Sequence, residues 1–254
     1  MSSNFRRRLA AEFLGTAGLL VAVVGSGIMG ERLAAGNPAV ALLANSLATG
    51  AALLALILCF EEISGAHFNP AVTCSVALQK SFPWREVPLY IVCQLAGVFA
   101  GVIAAHTMFG LPALFASGHA RHGAAQIFSE GIATMGLLLV IALVSHARGA
   151  ATPYAVAAYI VGAYWFTSST SFANPAVTLA RSLSDTFAGI RPADVPGFLL
   201  GEIAGAIAAV LLIRWLLSEK ISAESGASRR KPSPCLAGRR RQSHRCREPS
   251  RPAE

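Results

Sequence analysis

Apolar residues fall into six long stretches, near Ala10 to Gly30, Ala39 to Phe60, Val87 to Phe109, Gln126 to His146, Pro153 to Thr170 and Pro196 to Leu217. Each is close to the roughly 20 residues that a helix needs to cross the hydrocarbon core of a bilayer. The pattern predicts an all-α membrane protein with six transmembrane helices. The first stretch is long and carries Glu12, so it is expected to be retained rather than removed as a signal peptide.

Two further apolar runs are too short to span. They begin at SGAHFNPAVT, Ser64 to Thr73, and at TSFANPAVT, Thr170 to Thr178. Asn is a preferred helix N-cap, and Pro suits the first helical position because its missing N–H would be unsatisfied there anyway. Asn69 and Asn174 are therefore expected to cap helix starts, with Pro70 and Pro175 next and Ala71 and Ala176 keeping the first turn small. One NPA could open any soluble helix. Two identical NPAVT copies, 105 residues apart among apolar segments, point to a repeat.

Aligning Glu12 with Glu130 pairs Thr16 with Thr134, Gly18 with Gly136, Leu19 with Leu137 and Leu20 with Leu138. Aligning Gln94 with Glu202 pairs Ala96 with Ala204 and Gly97 with Gly205. Segments one to three thus repeat as four to six, over about residues 9–110 and 126–217. Three spans per half is an odd number, so the halves are inverted across the membrane. The two capped runs then enter from opposite faces. Irregular backbone at that depth is tolerated only when buried in protein or lining a wet cavity, so the two N-termini are expected to meet near the midplane. Each carries about half a positive charge, which would repel cations while the Asn amides offer hydrogen bonds to a neutral solute.

Composition agrees: 13% of residues are charged and 54% hydrophobic, against roughly 25% charged in a soluble domain. The formal net charge of +8 arises largely in the last 36 residues and implies no nucleic-acid partner. Arg6, Arg7, Arg8, Lys80, Arg85 and Arg148 fall on one side, which the positive-inside rule makes cytoplasmic, with both termini. Residues 1–218 read as one channel domain, and 219–254 as a disordered Arg-rich tail. Cys59, Cys74 and Cys93 read as packing groups. Cys235, His244 and Cys246 match no usual zinc spacing, so no metal or cofactor is expected.

The paired NPA motifs, the AEFLGT opening, SGAHFNPAVT and SEGIAT resemble the aquaporin and aquaglyceroporin family, the major intrinsic proteins, over roughly Ala10 to Leu217. The resemblance implies six helices and two re-entrant half-helices, a pore in every protomer of a homotetramer, and passive single-file flow. By spacing from the motifs it places a filter at Thr49, Gly162, Ser171 and Val177. It assigns Glu12 and Glu130 to holding the re-entrant loops, and His67 is expected to position the first loop. The family's usual Arg directly after the second NPA is replaced by Val177. Arg181, about one helical turn on, is expected not to reach the gap.

A filter of Thr, Gly, Ser and Val predicts a wide entrance stripped of aromatic and cationic groups, with bulkier oxyacids excluded less strongly than usual. The expected solutes are glycerol, metalloid hydroxides such as arsenite, methylated arsenicals and some water, as in the arsenic-linked bacterial subgroup that the sequence resembles. The expected location is a bacterial inner membrane. A mainly water-conducting aquaporin and a secondary active transporter are the alternatives. A serine protease built from Ser168, Ser169 or Ser171 with His67 or His146 is disfavoured. His106, His119 and His122 read as solvated outer-loop groups, and Glu61 and Glu62 as a cytoplasmic vestibule.

Overall fold

The computed structural model describes residues 3–228, with side chains for 4–218. Eight α-helices follow in order: α1 Ser3–Leu33, α2 Pro38–Ser64, α3 Pro70–Leu78, α4 Val87–Met108, α5 Ala124–Arg148, α6 Thr152–Phe166, α7 Pro175–Arg181 and α8 Val195–Ser228. No strand occurs among the described residues. Among the described residues, five stretches are long and apolar enough to cross a membrane. One of them, Ala124–Phe166, runs for 43 residues and is broken by the tight turn Gly149–Ala151 into α5 and α6. The six expected spans are thus present, with α3 and α7 as the two half-helices.

Several boundaries differ from expectation, among them the end of α2, which runs four residues past Phe60 to Ser64. The first helix starts at Ser3, so Arg6 to Arg8 lie within α1 rather than ahead of it. The fifth span stops at Phe166, four residues early, because Thr167 is already extended at φ −107 and ψ 140. The last helix runs to Ser228, past the expected end of the channel domain at residue 218. Of the tail, residues 229–254 lie outside the described residues.

By compactness the chain divides into two units, Met1–Leu216 and Leu217–Glu254. In the first, α1 packs on α2 and α4, α2 on α6, and α5 on α6. Small residues let two of the crossings close. A Cβ on Gly97 would stand 2.5 Å from the Phe13 carbonyl oxygen, and one on Gly101 would stand 2.4 Å from that of Ala17. The second half repeats this between α5 and α8, where Gly201 and Gly205 would put a Cβ 2.3 Å from Ile127 O and 2.2 Å from Gly131 O. The obstacle is backbone in each case, so only a shift of the helix can make room. Small residues four apart bring helix backbones together in lipid, where no hydrophobic drive does so.

Replacing either crossing glycine overpacks a backbone contact, a class of change that costs about 1–3 kcal/mol. Gly97→Leu and Gly205→Leu are each expected to lower the melting temperature of the detergent-solubilised protein. Leu at Gly36, an exposed turn position with open space around it, should do less despite its φ of 82.

Candidate functional site: two capped loops and the cavity between them

The segments that lead into α3 and α7 share one unusual backbone. At four, three and one residues before each Asn the chain is left-handed: Gly65 (φ 88), Ala66 (φ 48) and Phe68 (φ 49) in the first loop, Thr170 (φ 63), Ser171 (φ 49) and Ala173 (φ 48) in the second. Five of the six are not glycine, and a residue held in such a region costs about 1–3 kcal/mol. Something must hold these loops.

Two buried carboxylates do so. Glu12 of α1 is fully buried. Its Oε1 accepts from the Ser64 hydroxyl at 2.7 Å and the His67 N–H at 3.0 Å, and its Oε2 accepts from the Phe68 N–H at 2.8 Å and the Gln94 amide at 2.8 Å. Glu130 of α5, also fully buried, accepts from the N–H of Phe172 at 3.0 Å and of Ala173 at 2.8 Å. Backbone donors that the left-handed turns leave unpaired at membrane depth are thereby satisfied. His67 adds a ring contact, Nδ1 to Thr73 Oγ1 at 3.2 Å.

The two Asn tie the loops to one another. Asn69 accepts from Ala71 N at 2.8 Å and donates Nδ2 to Ala173 O at 2.8 Å. Asn174 accepts from Ala176 N at 3.1 Å and Val177 N at 3.3 Å, and donates Nδ2 to Phe68 O at 2.9 Å. Each amide has two N–H groups, so one bond across leaves each Asn a second donor. Pro70 and Pro175 occupy the first helical positions behind them. A third NPAV, Asn37 to Val40, was missed in reading the sequence. It also caps a helix, with Asn37 accepting from Ala39 N at 3.0 Å, but in the exposed turn before α2. The cap motif alone sets a helix start; the buried acid behind the loop marks the two that matter.

A cavity of about 250 Å³ passes both Asn, from Glu61, Ser145 and Thr152 at one end to Thr49, Val177 and Arg181 at the other. Thr49, Ser171 and Val177 line it, and the Ser171 hydroxyl is buried without a partner. Gly162 is not among the lining residues, and a Cβ there would face the Phe166 ring at 3.7 Å; Tyr164 lines the wall and donates its hydroxyl to Thr49 Oγ1 at 3.3 Å.

The expectation of an entrance free of aromatic and cationic groups is overturned. Arg181 does reach the cavity. It lies one turn beyond Val177 on α7, its Nε donates to Ala188 O, and its guanidinium carbon lies 3.3 Å from the Phe172 ring centroid. Phe172 and Tyr164 line the cavity as well.

Arg121, in the loop before α5, reads from the sequence only as one of the few basic residues on the outer side. It is nearly buried and donates to Gly189 O at 2.7 Å, Ser169 O at 3.2 Å and Phe187 O at 3.2 Å, bracing the second loop from outside. Burial pulls this guanidinium down to about 10, which leaves it charged at neutral pH.

His119 and His122 are exposed, whereas His106, expected to be solvated, is fully buried at the end of α4. Its Nδ1 donates to the Ala113 carbonyl at 3.0 Å, and its Nε2 pairs with the Ser184 hydroxyl at 2.8 Å. The hydroxyls of Ser168, Ser169 and Ser171 make no bond to His67 or His146. Among the described residues no group of His, Cys, Asp and Glu could hold a metal ion.

Removing the first carboxylate isolates the change. Glu12→Ala would orphan the N–H groups of His67 and Phe68, each a buried loss of about 1–3 kcal/mol. The variant is expected to lose both thermal stability in detergent and solute uptake in proteoliposomes, while Glu61→Ala at the cavity end keeps its stability.

The sequence model of the family "Major intrinsic protein" matches residues 1–173. Aquaglyceroporin AqpS of Rhizobium meliloti (strain 1021) is 51% identical over 214 residues, 84% of this chain and 91% of the relative. Aquaporin AqpM of Methanothermobacter marburgensis is 34% identical over 247 aligned residues, covering 85% and 99%. The X-ray structure of the aquaglyceroporin from Plasmodium falciparum superposes with a TM-score of 0.60 at 22% identity, covering 83% of this chain and 95% of that one, a likeness of fold. The chain therefore belongs to the major intrinsic protein family: it is a membrane channel for small neutral solutes and not an enzyme.

Proposed function

We propose that the channel passes small uncharged polyols and metalloid hydroxides, namely glycerol, arsenous acid and methylated arsenicals, together with some water. The observation that carries this reading is Val177, which lines the cavity three residues after Asn174 beside Thr49 and the unpartnered Ser171 hydroxyl. None of these side chains is bulky, and Gly162 contributes no bulk. The similarity to a protein named an aquaglyceroporin supports the same reading. Arg181 changes the electrostatic half of the argument: a positive charge at the entrance, together with the two positive helix ends, opposes cations. The proposed solutes are accordingly uncharged.

Assembly as a homotetramer is proposed from family membership, and the exposed Leu200, Ile203, Ile207 and Leu211 along α8 leave an apolar face for lipid or a neighbouring subunit. A bacterial inner membrane with cytoplasmic termini is proposed from Arg6 to Arg8 and the other basic residues on that side.

The test is stopped-flow light scattering of proteoliposomes with water, glycerol and arsenous acid in turn, without an ion gradient. Wild type should pass all three and be insensitive to a protonophore, which separates a channel from an ion-coupled transporter. Val177→Arg should cut glycerol and arsenous acid uptake far more than water. Unchanged uptake of the larger solutes would refute the filter reading.

A further inference from the structure

The acid that holds the first loop has four donors: the Ser64 hydroxyl, the N–H groups of His67 and Phe68, and the side-chain amide of Gln94. The repeat places a residue at each matching position around Glu130. Ser169 stands five residues before Asn174, as Ser64 stands five before Asn69, and its hydroxyl accepts from the Ser171 N–H at 3.3 Å inside the second loop. Phe172 N and Ala173 N match His67 N and Phe68 N. The fourth place, that of Gln94, is occupied by Glu202 of α8.

Glu202 is fully buried. Its Oε1 accepts from Asn174 N at 3.0 Å and Thr178 Oγ1 at 2.7 Å, while its Oε2 is buried without any partner. The two carboxyls divide three consecutive backbone N–H groups, those of Phe172 and Ala173 going to Glu130 and that of Asn174 to Glu202, so they stand side by side. Gly201, next in the chain, brings the α8 backbone so close that a Cβ there would lie 3.2 Å from Glu130 Cβ. Two carboxylates sharing one buried site cannot both stay ionised, and two bare acceptors make no bond. The charges that act on Glu130 are Arg181 of α7 and Arg121 of the outer loop, and each already has carbonyl partners.

We propose that Glu202 is a positioning residue that carries a proton and donates it to Glu130, so that an acid pair does for the second loop what the Gln94–Glu12 amide pair does for the first. Glu130 is the acceptor in this pair, as Glu12 is in the other. The proton takes the place of the Gln94 N–H, and the resulting neutral side chain at Glu202 leaves a single negative charge in the site, as in the first half.

The inference concerns the wall of the pore and does not depend on which solute passes. Its test uses infrared difference spectroscopy of the reconstituted full chain at neutral pH. Wild type minus Glu202→Gln should show the carbonyl stretch of a protonated carboxylic acid, present in wild type and absent in the variant. Glu202→Gln, which restores an N–H in the first-half manner, should keep wild-type water permeability. Glu202→Leu, which offers no donor, should lose most of it. Identical spectra in the carboxylic-acid region would overturn the proposal, as would a Glu202→Gln variant no more permeable than a folded Glu202→Leu. If Glu202→Leu does not fold, the spectra decide alone. Failure of the solute reading would leave both the spectra and the water measurement unaffected.

Discussion

Everything in this channel depends on a buried carboxylate placed behind a strained loop. Left-handed residues at Ala66, Phe68, Thr170, Ser171 and Ala173 leave backbone donors turned away from the cavity. In a bilayer these donors have no water to fall back on. Glu12 and Glu130 collect them, two consecutive N–H groups each, and so make an irregular segment tolerable at membrane depth. The close glycine crossings serve this arrangement, because Gly97 and Gly201 let α4 and α8 bring Gln94 and Glu202 up to the two acids.

Once the loops are held, the Asn pair follows. Each cap accepts from its own helix start and donates across to the carbonyl before the other cap. The cross-bonds fix the spacing of the two helix ends, and the remaining amide N–H of each Asn is free to meet a solute. Two positive helix ends and Arg181 then bias the passage against cations. Arg121 and His106 act further out, Arg121 bracing the second loop through Ser169, Phe187 and Gly189, His106 tying α4 to the segment after α7 through Ser184.

Much of this was legible in the chain. Six spans follow from hydrophobic length, and the half-helices follow from Asn-Pro caps with apolar sequel. The pairing of Glu12 with Glu130 and of Gln94 with Glu202 gave the repeat that organises the site. What could not be read depends on how α7 ends. Arg181 reaches the cavity because its Nε is drawn to Ala188 O, a carbonyl seven residues on in a folded-back segment, and no local spacing rule encodes that return. Gly162 was placed by spacing alone, yet a Cβ there would face the Phe166 ring, an orientation that counting from Asn174 does not give. His106 was misjudged because its burial comes from Ala113 and Ser184, 7 and 78 residues on, and Asn37 shows that the same four residues also open an ordinary surface helix.

The most direct measurement is residue-specific amide hydrogen exchange in the reconstituted protein, read by solid-state NMR at His67, Phe68, Phe172 and Ala173. If Glu12 and Glu130 hold these donors, their exchange is slow although the loops line a wet passage, and far slower than that of exposed Gly36. Exchange at these four amides as fast as at Gly36 would contradict the account.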